Sequence, residues 1–172
     1  MLLGPTMDSF RSASILKNLR TLHIRMKQHS YNAMYLAERF EKDGLRVVYP
    51  GLKSHRNHEL MKSMMHEEYG FGGLLTLDAG TTDKANELME LMQQENLGYL
   101  AVSSGFYKTL FSCSGSSTSS EIPEEERAEM GISDGLIRFS IGLDHDIART
   151  YEKMKECMHK VGILNHETIS IY

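Results

Sequence analysis

The chain has no tryptophan, only two cysteines and three prolines among its 172 residues. It also lacks an apolar run of the roughly 18 residues a spanning helix needs, which excludes a membrane helix. Cys113 and Cys157 lie far apart in sequence. The start, Met1-Leu2-Leu3-Gly4-Pro5, is too short for a secretory leader and has no basic region. Reduced thiols in a cytoplasmic protein are therefore expected rather than a disulfide staple. Charge of one sign is scarce as well. Nineteen basic residues stand against 23 acidic ones, net −4, with the signs interspersed. That balance excludes the basic footprint of a nucleic-acid binder. No internal repeat is present.

What is present suits one domain with a real core. Hydrophobic residues make up 41%, and most of the twelve methionines fall at helical core spacing. Leu19, Leu22, Met26, His29, Ala33, Leu36 and Phe40 recur in steps of three and four. The spacing predicts one long helix over 8–42, capped by Asp8 or Ser9 and ended by Gly44. Short strands are expected at 45–49, 71–78 and 98–103, and helices at 57–66, 82–95 and 144–160. Strands and helices interleave, so the class is α/β, more narrowly a small α+β domain. Its sheet should be mostly antiparallel, with helices on one face and the long helix extending from it. A division follows: 1–44 as a linking helix and 45–172 as the domain proper.

The segment Gly135-Leu136-Ile137-Arg138-Phe139-Ser140-Ile141-Gly142 carries the most chemistry. Read as a strand, it puts Ile137, Phe139 and Ile141 on one face and Leu136, Arg138 and Ser140 on the other. A permanently charged planar fork suits bidentate carboxylate or phosphate recognition. The flanking glycines let a backbone or a ligand come close. From the strand alone, a solvent-facing arginine is the competing reading.

Other candidates are weaker. Ser112 to Ser120, Ser-Cys-Ser-Gly-Ser-Ser-Thr-Ser-Ser, reads as a flexible loop and not as a nucleophile elbow. Glu124-Glu125-Glu126 suits a solvated helix start. His55, His58, Glu59 and His66 do not have the spacing of a zinc protease motif, so a polar turn is expected and no metal. Gly70-Phe71-Gly72-Gly73 precedes a strand rather than a helix, which favours close packing over phosphate binding.

Six blocks run in order along residues 4 to about 160: Gly4-Pro5; Leu19 to Met26 with His29; Tyr49-Pro50-Gly51-Leu52 with His55 and His58-Glu59-Leu60; Gly70 to Gly73; Ala101 to Gly105; and Gly131-Ile132 leading into 135–142. Together they resemble the C-terminal part of the Cys/Met-metabolism family of pyridoxal-phosphate enzymes, which includes cystathionine γ-synthase, the cystathionine lyases and methionine γ-lyase. The resemblance is nearest to the methionine γ-lyase branch. The serine-rich run also fits there, and Val102 is apolar where cystathionine-using members often carry an acid.

The resemblance implies the C-terminal domain of a pyridoxal-phosphate transferase-type fold, a carbon–sulfur lyase of sulfur amino acids and a homotetramer. It implies that Arg138 grips the substrate α-carboxylate, that Ser103 helps hold it, and that Thr118 lies near the cofactor. Ser104 and Lys108 depart from the family's usual Leu and Glu. The family's Schiff-base lysine follows a Ser-x-Thr pattern, and no lysine here does: Lys17 follows Ile-Leu, Lys62 Leu-Met and Lys108 Phe-Tyr. The phosphate cradle has no match either. The chain is therefore expected to lack a catalytic residue of its own and not to turn over alone. Its partners would be a small sulfur amino acid and either the complementary N-terminal part or homologous subunits. A non-catalytic remnant, or a module that associates with family subunits, stays open as the alternative.

Overall fold

The structure, a computed structural model, describes residues 7–113, 126 and 133–164. Helix α1 (Ser9–Leu19) starts where the Asp8 carboxylate accepts from the Arg11 N–H at 2.9 Å, a side-chain cap on an otherwise orphaned donor. The chain then breaks. Thr21 leaves helical geometry at φ −111°, ψ 8°, and α2 (Leu22–Lys42) begins. The Arg25 guanidinium reaches back to the Asn18 carbonyl at 2.7 Å and satisfies the end of α1. The single helix expected over 8–42 is thus two helices. No Pro or Gly marks the joint, and the apolar stripe runs through it, so periodicity alone does not show it. Gly44 closes α2 at φ +79°, with the Leu45 N–H donating to the Phe40 carbonyl, the left-handed stop expected there.

Five strands follow: β1 (Val47–Val48), β2 (Leu74–Asp78), β3 (Tyr99–Leu100), β4 (Leu110–Cys113) and β5 (Leu136–Ser140). They form one sheet in the order β1-β2-β5-β4-β3, antiparallel except for the β3–β4 pair. Among the described residues, further α-helices are α3 (His58–Met64), α4 (Thr82–Gln94) and α5 (Ile147–Lys160). β4 corrects one expectation, since Ser112 and Cys113 belong to a strand rather than to the start of a loop. All four β4 residues are buried. Residues 114–120 lie outside the described residues, and of the acidic run only Glu126 falls within them.

The register puts two apolar rows on one face of the sheet: Leu75, Phe139 and Phe111, then Leu77, Ile137 and Cys113. All six are at most 2% exposed. Ile137, Phe139 and Ile141 thus point into the core, as the alternation predicts. Helices α2, α4 and α5 cover this face, with Leu36, Phe40, Leu88, Met92, Met154 and Met158 in the same cluster. α2 is therefore part of the core rather than an extension. α1 stands outside it, with no buried residue, and so does the short α3.

Candidate functional site

The opposite face of the sheet carries a polar row. Thr76, Arg138 and Ser112 are direct partners across β2, β5 and β4, so their side chains share a side. The stretch after β3 runs past this row. The Arg138 guanidinium donates through Nη2 to the Ser103 carbonyl at 2.9 Å and reaches the Ala101 carbonyl at 3.5 Å. The Gly105 N–H donates to the Ser140 hydroxyl at 3.1 Å. The structure therefore brings Arg138 and Ser103, predicted from distant parts of the sequence, into direct contact. Thr118 lies outside the described residues.

Arg138 is half-buried, and among the described residues no carboxylate pairs with it. A fork tethered at one nitrogen, with hydrogens left over and no counter-charge among the described residues, has the chemistry to receive an anion. The glycines around it serve backbone packing. A β-carbon on Gly142 would sit 2.5 Å from the Thr109 nitrogen, and one on Gly135 would sit 2.6 Å from the Thr81 nitrogen. Close approach by another backbone was one of the two readings of those glycines.

The histidines make local contacts. His58 Nδ1 lies 2.9 Å from the Pro50 carbonyl, and its ring stacks on Phe71 at 5.2 Å between centroids. His55 and His66 each accept a backbone N–H two residues on. Among the described residues no group of three His, Cys, Asp or Glu could hold a metal. Gly73 packs against His29, whose Cβ would be 3.1 Å from an added β-carbon, which fits the close-packing reading of 70–73.

Sequence reading missed Ser112. Its signal was the short apolar stretch Leu110-Phe111 just before the serine-rich run, too short and too unalternating to read as a strand. A groove of about 400 Å³ adjoins the polar row, lined by Met26, His29, Phe71, Leu74 and Ser104 among others.

Fold and row together define a small α+β domain with a half-buried arginine in a polar row on one sheet face. Comparison with known proteins narrows this class. The family model of Cys/Met metabolism PLP-dependent enzymes matches residues 1–152. The methionine gamma-lyase of Arabidopsis thaliana is 47% identical over 143 residues, 83% of this chain and 32% of that protein. The cystathionine beta-lyase of Coxiella burnetii is 37% identical, over 83% of this chain and 36% of its own length. Yeast cystathionine gamma-lyase superposes with a TM-score of 0.76 at 29% identity, covering 85% of this chain and 37% of that one. A Campylobacter jejuni structure described as an O-acetylhomoserine (thiol)-lyase, with a pyridoxyl-lysine monophosphate, superposes with a TM-score of 0.75 at 31% identity, covering 84% and 34%. The chain belongs to the Cys/Met metabolism family of pyridoxal-phosphate-dependent enzymes. It spans about a third of the length of these relatives.

Two of the lysines, Lys108 and Lys155, are poorly suited to anchor the cofactor covalently. A Schiff-base lysine is held low, so that its amine is free to react. Lys108 and Lys155 are shifted the other way: a hydrogen bond from Lys108 to the Tyr99 hydroxyl raises the first, and one from Lys155 to Asp43 raises the second. Each ammonium is already held, at 3.0 Å and 2.9 Å.

Proposed function

We propose that this chain is the substrate-carboxylate-binding part of a pyridoxal-phosphate-dependent carbon–sulfur lyase acting on sulfur amino acids, of the methionine γ-lyase kind. The carrying observation is Arg138, tethered to the Ser103 carbonyl on the open face and free of any carboxylate partner among the described residues. Arg138 takes the α-carboxylate, Ser103 holds the arginine and borders the bound group, and Thr118 lies beside the cofactor. The 47% identity to a methionine gamma-lyase supports the substrate class. The complementary part of a family subunit supplies the lysine and the phosphate cradle, and α1 alone links to it, since α2 packs into the core of the binding domain. Cys113 and Cys157 are both buried and not joined in a disulfide, which suits the cytoplasm.

Helix α1 favours a second reading, an interaction module. Phe10 is 84% exposed and Leu16 60%. A scattering of exposed apolar side chains on one helix supports association with family subunits whether or not the site works.

A chimera tests the first reading. This chain replaces the matching third of the Arabidopsis methionine gamma-lyase. The chimera should cleave methionine, and Arg138→Ala should lower kcat/KM about tenfold to a hundredfold, since a hydrogen bond to a charged group contributes roughly 1.5–3 kcal/mol. Arg138→Lys should rescue poorly, because an ammonium has no fork. Near-normal kinetics for Arg138→Ala, with unfolding temperature unchanged, would return Arg138 to a solvent-facing arginine.

A further inference from the structure

We propose that Ser112 is a positioning residue for Arg138: its hydroxyl accepts the Nε–H and fixes the plane of the guanidinium fork. The inference rests on the carboxylate reading above and adds to it the residue that aims the arginine.

Among the described residues, two buried side-chain polar atoms have no hydrogen-bond partner: Ser112 Oγ and Arg138 Nε. They are not scattered. Ser112 on β4 is the direct partner of Arg138 on β5. Opposed residues of an antiparallel pair hold their β-carbons about 4.5–5.5 Å apart on the same face. Ser112 is 5% exposed, so bulk water is a poor substitute partner for its hydroxyl.

The two groups are chemically complementary. An arginine Nε–H can only donate, whereas a serine hydroxyl has two acceptor lone pairs and turns to suit its neighbour. Leaving both unmade in a buried place is the costly arrangement, and rotation of Ser112 between its staggered χ1 wells removes the cost. The hydrogen count then closes. Of the five guanidinium hydrogens, one Nε–H goes to Ser112 and one Nη2–H to the Ser103 carbonyl. Nη2 also reaches the Ala101 carbonyl at 3.5 Å, so the two Nη1 hydrogens are the ones left for a carboxylate.

A hydroxyl also differs from a carboxylate at this position. Asp or Glu would hold Nε more strongly but would neutralise the arginine before substrate arrives. Serine fixes the plane and leaves the charge for the ligand.

The test uses the 172-residue chain. The Arg138 Nε–H resonance is assigned by its loss in Arg138→Lys, and its exchange with solvent is measured together with methionine affinity. The wild type should show a protected Nε–H. Ser112→Ala should speed its exchange about tenfold and weaken methionine binding about tenfold, the scale of one hydrogen bond to a charged group. Ser112→Thr, which keeps the hydroxyl, should restore both. Thermal unfolding of each variant controls for folding. Unchanged exchange in Ser112→Ala overturns the inference, and so does faster exchange with unchanged affinity. A different result sinks the parent reading: methionine bound as tightly by Arg138→Lys as by the wild type. In that case the exchange data alone still judge the Ser112 bond.

Discussion

Gly142 lets the backbone after β5 pass close to residues 107–109. A β-carbon there would lie 2.5 Å from the Thr109 nitrogen, 2.6 Å from the Lys108 carbonyl carbon and 2.7 Å from the Tyr107 oxygen. All three are backbone atoms, so none can swing aside. Gly142→Ala should therefore destabilise the domain by about 2 kcal/mol or more, read as a lower denaturant midpoint. Gly105→Ala is the control. Its β-carbon meets nothing within 4 Å but must accept φ +73°, which costs about 1 kcal/mol. Equal losses at the two sites would remove the steric account. At this scale the sequence showed Arg138 plainly, because an arginine between Ile137 and Phe139 in an alternating strand has one face to occupy. It did not show Ser112. Its strand is four residues long and buried throughout, so no alternation separates it from the serine-rich run that follows.

At the level of elements, α2 and α5 are joined by a cluster that stripe-counting does not reveal. The Tyr151 hydroxyl donates to the Asp43 carboxylate at 2.5 Å, and the Lys155 ammonium donates to the same carboxylate at 2.9 Å. The Arg39 guanidinium lies over the Tyr35 ring at 4.7 Å and the Tyr151 ring at 5.7 Å. Burial first, and then the Asp43 hydrogen bond, raise the Tyr151 phenol; the bond to Asp43 raises Lys155. Both groups thus bind their proton more tightly folded than unfolded. Their contribution is complete below the ordinary tyrosine and lysine values of about 10 and is lost as pH rises through the raised ones. Urea unfolding should accordingly give a stability that falls above about pH 10. Asp43→Asn should shrink that fall without abolishing it, since the burial of Tyr151 remains. A fall of the same size in Asp43→Asn would contradict the assignment. The four predicted helices were legible apart from the break at Arg20–Thr21, which makes two of the first. The stripe continues through Leu19, Leu22 and Met26, and a long side chain, Arg25, rather than a Pro or Gly makes the joint. Strands expected at 45–49 and 98–103 are two residues each, because at the sheet edges only Val47–Val48 and Tyr99–Leu100 find ladder partners.

On the scale of the whole molecule, one core ties α2, α4, α5 and the sheet together, and the Arg138 row sits on the face this core leaves open. Among the described residues no helix is long and apolar enough to cross a membrane. The ordered blocks made the family legible, since residues such as Gly51, Gly73 and Gly142 answer to close packing contacts and the Gly72 carbonyl accepts from the Tyr49 hydroxyl. The lysines Lys108 and Lys155 are engaged by Tyr99 and Asp43. The central claim is that this chain recognises a carboxylate through Arg138. Calorimetric titration of methionine into the 172-residue chain tests it most directly, with methioninamide, which lacks the carboxylate, as the matched ligand. The account predicts saturable binding of methionine, at least about tenfold weaker binding of the amide, and loss of methionine binding in Arg138→Ala. Equal affinity for methionine and its amide, or methionine binding untouched by Arg138→Ala, would contradict it.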